Sequence, residues 1–356
     1  MNSDFLIVGA GVIGLSSALE LIQRGAKVTV LERGSSGNES SWAGGGILSP
    51  LCPWDYSDAV TRLSSHGAAL FPAWAQALHA ATGIDPEYAA SGMLVLPPFD
   101  AQLAQQWCVA HEVPVQQINA ADCGLPVSGD ALCLPQVAQV RNPRLMQALR
   151  KRVEMLGGRI IEQCEVRDIV AVDSRVQSLA TSSCEYSAEN YIVTAGAWSK
   201  QVLGLYALQM DIKPMRGQML LFKFSEPPLR HIVLQGDLYL IPRRDGHLLV
   251  GSTLEDVGFD KNITQAAHDN LRLRAEAVLP QLRDMPLAQH WAGLRPGSPH
   301  NIPTIGRHPQ LHNLYLNSGH FRYGVTMAAA SVEILLNEIM GTTQAFDVAP
   351  YQAGWR

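Results

Sequence analysis

Gly9-Ala10-Gly11-Val12-Ile13-Gly14 forms a G-x-G-x-x-G, and Glu32 follows 18 positions after its last glycine. Residues of these types at this spacing suit one task, holding a dinucleotide. Gly9 permits a tight turn, Gly11 lets the backbone approach a pyrophosphate, and Gly14 lets a helix lie close against a strand. Free N–H groups at a helix start carrying Val12 and Ile13 would attract the phosphates. A carboxylate at Glu32 can accept hydrogen bonds from both ribose hydroxyls and would repel a 2′-phosphate. The ligand that satisfies these demands is NAD or FAD.

The glycines alone fit a tight turn in many α/β folds, so the flanking elements decide. Phe5-Leu6-Ile7-Val8 is an apolar run of strand type, and Leu15, Ala18, Leu19 and Ile22 recur at helical spacing up to Gly25. Lys27 to Leu31 supplies a second strand that ends on Glu32. Strand, glycines, helix, strand and acid stand in the order of a βαβ nucleotide unit.

The whole chain has 356 residues, 47% apolar and 17% charged, enough for two packed domains. A net charge of −5 with no basic run gives no reason to expect nucleic acid. The chain starts without a cationic leader and its first apolar run belongs to the nucleotide unit, which predicts a cytoplasmic protein without a membrane span. Cys52, Cys108, Cys123, Cys133, Cys164 and Cys184 are scattered without a C-x-x-C, as reduced thiols would be. The 11 histidines include no H-E-x-x-H, so no metal is expected.

Arg33 to Gly46 is polar and glycine-rich. It reads either as a flexible linker or as a loop pressed on a flat ligand. Ser40 and Ser41 offer hydroxyls beside the small residues Ala43, Gly44, Gly45 and Gly46, and Trp42, Ile47 and Leu48 could anchor it. Periodicity predicts helices over Asp58 to Thr82, Asp100 to Ala110, Arg144 to Leu156 and Ala266 to Val278, and strands at Gly92 to Pro97 and Gln136 to Val140. A meander is expected between Arg159 and Thr194, ending in the small-residue turn Ala195-Gly196-Ala197-Trp198. A β-rich block follows from Asp211 to Thr253, with Asp245-Gly246 as a hairpin turn. Gly293, Pro296 and Gly297 suggest a rigid turn around Arg295, and an apolar helix follows Gly324. Trp54 and Tyr56, near Pro50 and Pro53, form an apolar patch that could cover the ligand loop, border an entrance or touch a membrane.

Seven segments resemble the glycine oxidase and D-amino acid oxidase group of FAD-dependent enzymes. They are Ile7–Gly14 (IVGAGVIG), Ser40–Gly46 (SSWAGGG), Val193–Ser199 (VTAGAWS), Pro214–Gln218 (PMRGQ), Tyr239–Arg243 (YLIPR), Gly293–Gly297 (GLRPG) and Gly319–Gly324 (GHFRYG). They stand in the family's order and span nearly the whole chain. The resemblance implies a Rossmann-type FAD-binding domain and an α+β substrate domain built on an antiparallel sheet. The FAD-binding domain is expected at 1–85, 142–210 and 291–356, and the substrate domain at 86–141 and 211–290.

The resemblance also assigns residues. It makes Arg295 the partner of a substrate carboxylate, Tyr239 a hydroxyl that helps hold it, and Arg322 a neighbour of flavin and substrate. It puts the Val166 backbone against the adenine, and Arg33, Gly196, Trp198, Gly319, Phe321, Tyr323, Val325 and Thr326 with the cofactor. The helix from Gly324 would aim its N-terminus at the flavin pyrimidine edge. Sarcosine oxidases share the fold but attach flavin through a late cysteine, and no cysteine here lies beyond Cys184. FAD is therefore expected to be held non-covalently. Gln235-Gly236-Asp237 departs from the glycine oxidase pattern, which leaves the preferred substrate side chain open.

The implied activity is oxidation of glycine or small D-amino acids to 2-oxo acid and ammonia, with O2 reduced to hydrogen peroxide. A dehydrogenase handing electrons to a quinone or other carrier at the membrane, and a flavin-binding protein without turnover, are the alternatives. In related bacterial enzymes glycine oxidation feeds thiazole synthesis for thiamine. A homo-oligomer is compatible with the sequence. Carboxylate holding favours a planar guanidinium, which binds both oxygens. Arg295 could instead pair with a protein carboxylate, Tyr239 could be an ordinary strand aromatic, and Arg322 could lie on the surface. No histidine–acid pair is needed, because a substrate amine that has already lost its proton can be oxidised directly.

Overall fold

The computed structural model describes residues 3–123, 125 and 129–355; positions 1, 2 and 356, at the ends of the expected FAD-binding domain, lie outside them. The nucleotide unit forms as its pattern dictates: β1 (Ser3–Val8), α1 (Val12–Gln23) and β2 (Val28–Leu31). It sits in a six-stranded sheet ordered Thr304–Arg307, Leu314–Ser318, Ala188–Val193, β1, β2, Arg159–Ile161. All neighbours are parallel except the edge strand Thr304–Arg307. A parallel sheet is covered on both faces, which explains the unbroken apolar runs. Ile7, Val28, Val30 and Ile192 pack under α1 and the helices Asp58–Thr82, Asn142–Met155 and Gly324–Met340. Leu6, Val8, Tyr191 and Val193 point the other way, onto the three-stranded meander of Val166–Val172, Arg175–Thr181 and Glu185–Tyr186.

A second, eight-stranded sheet is ordered Leu287–Gly297, Lys213–Lys223, His247–Gly251, Leu238–Pro242, Ile232–Gln235, Met93–Leu96, Asp130–Leu134, Gln116–Asn119. It is antiparallel except where Ile232–Gln235 meets Met93–Leu96. Period-2 alternation sorts its side chains. Leu238, Leu240 and Val250 pack on the helix Gln265–Val278, whereas Tyr239, Ile241 and Met219 face the opposite side. That opposite side meets the Ser40–Ala43 turn of helix, where the Trp291 indole donates to the Ala43 carbonyl at 3.1 Å. The fold is thus a Rossmann-type α/β layer joined to an antiparallel-sheet unit. The Leu287–Gly297 strand crosses position 291 without a break.

Four local expectations change. Gln136–Val140 is no strand: Gln139 makes only isolated bridges, to Ile47 and to Ala89, because its neighbours across the chain are loops. Arg295 lies in an eleven-residue strand, not a rigid turn. Its flanking glycines answer close packing instead: a Cβ on Gly293 would lie 2.6 Å from the Ala43 methyl, and one on Gly297 2.6 Å from Met215. The Trp54 side chain is buried among Met93, Val95 and Leu132, so it offers no surface to a membrane. The strands Gln116–Asn119 and Asp130–Leu134 form although their local patterns did not announce them, while Ile232–Gln235 forms within the expected β-rich block.

Candidate active site

A cavity of about 440 Å³ opens where the chain order of the parallel sheet reverses, with β2 on one side of β1 and Ala188–Val193 on the other. Ligand crevices in open α/β sheets lie at such switch points. Gly9, Gly11, Val12 and Ile13 form part of the wall. Gly9 has φ +103°, and a Cβ there would meet the Thr194 carbonyl oxygen at 2.7 Å. Gly14 does not face the cavity. Its absent side chain lets α1 lie against β1, since a Cβ would sit 1.9 Å from the Gly9 oxygen.

Glu32 is held under the glycine turn, its carboxylate accepting from Ala10 N at 2.8 Å and Gly34 N at 2.9 Å. A carboxylate has about four acceptor positions, so two remain for hydroxyls. Beside it the Arg33 guanidinium lies 3.5 Å from the centre of the Trp198 ring and pairs with Glu39 at 2.9 Å. Ser41 Oγ accepts the Val12 N–H at 2.9 Å and so caps α1 at the wall. Asn142 fixes that turn by donating to the Ser41 carbonyl at 2.9 Å, while its Oδ1 is buried without a partner. Ser40, Gly44, Gly45 and Gly46 line the cavity; Ala43 does not, being turned toward Gly293. Val166 lines it between Glu165 and Arg167, as do Gly196 and Trp198.

The other end of the cavity is made of side chains. Arg295 is half-buried on the cavity wall and its bonds go to neutral oxygens, the Thr253 carbonyl at 3.2 Å and Ser252 Oγ at 2.6 Å. Burial lowers its pKa from the usual arginine value; the adjacent Tyr239 hydroxyl opposes the drop and the nearby Arg322 cation adds to it. Room for the guanidinium comes from Gly217 on the paired strand, where a Cβ would lie 1.9 Å from Arg295 Nη1. Gly251 does the same for Tyr239, leaving 2.7 Å to its ring. The Tyr239 hydroxyl has a sulfur neighbour, Met219 Sδ, at 3.8 Å.

Phe321, Arg322, Tyr323, Gly324, Val325 and Thr326 complete the wall. Gly319 stays behind it, its carbonyl accepting from Ser298 Oγ at 2.5 Å. Phe321 takes φ +46° and donates its N–H to Pro296, which ties the helix start to the Arg295 strand. The Tyr323 hydroxyl donates to that of Tyr56, and Thr326 Oγ1 donates to the Ile47 carbonyl at 3.0 Å, so the Ile47–Tyr56 segment is tied to the same helix start. Burial raises the Tyr323 phenol, and the Tyr56 hydroxyl adds to the rise. His320, also on the wall, is buried with Nε2 unpartnered, and burial pushes it down to about 3.

Several wall residues escaped the motif reading: Asn142, Thr194, Ser252, Asn317 and His320. Ser252 follows a strand end and His320 sits inside a quoted segment, so small or polar residues directly after strand ends were the available signal. Arg243 was missed as well. It is buried and donates to Gln139 Oε1 at 2.7 Å, the Val140 carbonyl at 2.8 Å and the Gly45 carbonyl at 2.8 Å, which anchors the glycine loop to the second sheet. Burial, with help from the nearby Arg141 cation, brings it down to about 10.

These residues fit an FAD: a helix start and glycine loop for the pyrophosphate, a carboxylate for a ribose, and unpartnered Oδ1 atoms of Asn142 and Asn317 on the wall. Among the described residues no group of three or more histidine, cysteine or acidic side chains is placed to hold a metal. No helix among them is long and apolar enough to cross a membrane.

Comparison with known proteins agrees. The chain is 44% identical to glycine oxidase of Pseudomonas aeruginosa over the full length of both. It is 31% identical to the bifunctional protein ThiO/ThiG of Trichormus variabilis, over 96% of this chain and 53% of that one. Its structure matches the crystal structure of glycine oxidase from Geobacillus kaustophilus with a TM-score of 0.93, at 27% identity and 98% coverage of each. The family model described as DAO, FAD dependent oxidoreductase, matches residues 4–337. With the nucleotide turn, the capped helix and the cavity-wall arginine already in place, the match settles the family: the chain belongs to the DAO family of FAD-dependent oxidoreductases.

Proposed function

We propose that this protein oxidises glycine and small D-amino acids to the 2-oxo acid and ammonia. For glycine the balance is glycine, O2 and water giving glyoxylate, ammonia and hydrogen peroxide. The observation that carries the reading is the half-buried Arg295 guanidinium, which faces the cavity with only neutral hydrogen-bond partners. Such a cation is stabilised by an external anion, and a carboxylate matches its fork.

FAD, when bound, supplies the acceptor for the hydride that leaves Cα. The chain's own residues do the rest. Arg295 takes the carboxylate, the Tyr239 hydroxyl steadies it, and Arg322 adds a second positive charge at the same end. Two cations there disfavour an ammonium, so the amine enters neutral, with the lone pair that hydride loss requires. Ile47, Leu51, Tyr239 and Tyr323 bound this end with apolar surface, which excludes water and favours a small side chain on Cα. Gly324 opens the helix Gly324–Met340, whose positive end lies on the wall. The strand continuity at position 291 supports placing the boundary between the two units near 286 and 298, with the whole Leu287–Gly297 strand in the substrate unit.

The test is anaerobic mixing of the FAD-loaded protein with glycine, sarcosine and D- and L-amino acids, followed by admission of air. Bleaching of the flavin by glycine or small D-amino acids, with stoichiometric peroxide on re-aeration, is the expected result. Rapid bleaching without peroxide, relieved only by a quinone or dye, would replace the oxidase by a dehydrogenase. No bleaching by any amine would remove the amino acid reading.

A further inference from the structure

The irregular segment Leu254–Ile263 follows the strand His247–Gly251, keeps one bridge to the eight-stranded sheet through Glu255 and Arg216, and ends at Thr264, the N-cap of the helix Gln265–Val278. Its roots are bound tightly. The buried Arg216 bonds Glu255 at 2.5 Å, Asp260 at 2.7 Å and the Asn262 carbonyl at 2.9 Å. Gln218 donates to Glu255 at 2.8 Å and accepts the Thr264 N–H at 2.8 Å. The first root also reaches the substrate end, because the Thr253 hydroxyl bonds Glu255 at 2.5 Å while its carbonyl accepts from Arg295.

The tip does something the roots do not require. It crosses to the Rossmann layer, where the Phe259 ring lies 5.5 Å from that of Trp198 and Lys261 Nζ lies 3.0 Å from Glu39. Trp198 and Glu39 are the two residues that hold the Arg33 side chain. All three line the cavity beside Glu32, whereas Phe259 and Lys261 do not. Phe259 is exposed, so its ring contributes little to either core. Two exposed side chains of one unit thus fix the aromatic face and the anion that set the position of a cavity-wall cation in the other.

We infer that Leu254–Ile263 is a clasp that retains the cofactor: Phe259 and Lys261 are positioning residues acting through Trp198, Glu39 and Arg33, and Arg216 sets the clasp's reach. The ligand held is the anionic part of the dinucleotide. A guanidinium kept on an aromatic face is already ordered, so little side-chain freedom is lost when it meets a phosphate or ribose. The inference rests on FAD binding and not on which amine is oxidised.

The experiment is FAD titration of the apoprotein of a Phe259→Ala/Lys261→Ala double variant, with the rate of FAD release from the loaded protein. Both side chains are at the surface, so the apoprotein melting temperature should match the parent. FAD affinity should fall by about tenfold and release should quicken by a similar factor, as expected for losing one aromatic and one ionic contact. Glycine KM and kcat at saturating FAD should stay within about twofold, because no group near Arg295 has changed. Phe259→Trp should retain FAD like the parent. The deficit of Lys261→Ala alone should shrink in about 1 M salt, where charges are screened within a few Å, and that of Phe259→Ala should not. Affinity and release rate unchanged in the double variant would overturn the clasp. So would an affinity loss matched by an equal fall in apoprotein stability, which would make the segment a structural brace. Failure of glycine oxidation with these FAD effects intact would count against the substrate alone.

Discussion

Two guanidinium groups lie one register position apart on paired strands of the same sheet, and their surroundings differ in kind. Arg295 stands opposite Met215, and Arg216 stands opposite Leu294. Arg216 is neutralised inside the protein by Glu255 and Asp260; its hydrogen bond to Glu255 is the main reason its proton is held more firmly than usual. Arg295 has neutral oxygens for partners and a second cation nearby, and burial shifts it the other way. The same side chain therefore serves two ends. One completes an internal charge network, and the other lies on the cavity wall without an internal anion and is the one we propose a ligand completes.

Exchanging the ligand-facing member should have the largest effect. Arg295→Met should lower kcat/KM for glycine by about 10³-fold, the scale of removing one partner of a buried, hydrogen-bonded charge pair, with FAD affinity unchanged. Steady-state kinetics beside an FAD titration checks this. Arg216→Ala should act on stability instead. It leaves the partly buried Glu255 without its cation and should cost about 2–3 kcal/mol, less than a fully buried broken pair because Glu255 keeps some contact with water; the exposed Asp260 adds little. Denaturant unfolding reads that loss.

Gly217 separates the two roles more finely, since it lies next to Arg216 in sequence and against Arg295 in space. In Gly217→Ala the new methyl would press on the flexible end of Arg295, which can move aside. The melting temperature should change little while glycine KM rises by about tenfold or more, because the carboxylate is met out of position. Tyr239→Phe removes one hydroxyl and should cost less, about five- to tenfold in kcat/KM.

The smallest effect concerns His320, on the same wall but neutral. Folded, it resists protonation down to about pH 3. Unfolded, it takes a proton near pH 6.5. The unfolded chain thus binds more protons between these values, so stability is full above about pH 6.5 and declines as pH falls toward 3. A melting-temperature profile of His320→Gln should lack that part of the decline.

The contrast also shows which features a sequence discloses. The β1–α1–β2 unit, the Asp58–Thr82 helix and the hairpin at Asp245-Gly246 were legible because local period and turn residues specify them. Arg295 and Tyr239 were nominated through family resemblance, since nothing in the residues around Arg295 distinguishes it from Arg216. What separates them is strand pairing across some 80 positions and the return of Glu255 and Asp260 to one side only. Gly293 and Gly297 suggested a turn because glycine signals both bends and close packing, and only the facing Ala43 and Met215 show which applies. The Tyr56–Tyr323 contact was equally hidden, joining segments far apart in the chain.

The most direct measurement compares glycine with methylamine, the same amine without its carboxylate, in anaerobic mixing with the FAD-loaded protein. If Arg295 is the unfilled half of an ion pair, glycine bleaches the flavin and methylamine does so at least about 10²-fold more slowly at equal concentration of neutral amine. In Arg295→Met that preference should collapse. Equal bleaching by the two amines in the parent protein would contradict the account, because the carboxylate would then have no part in the reaction.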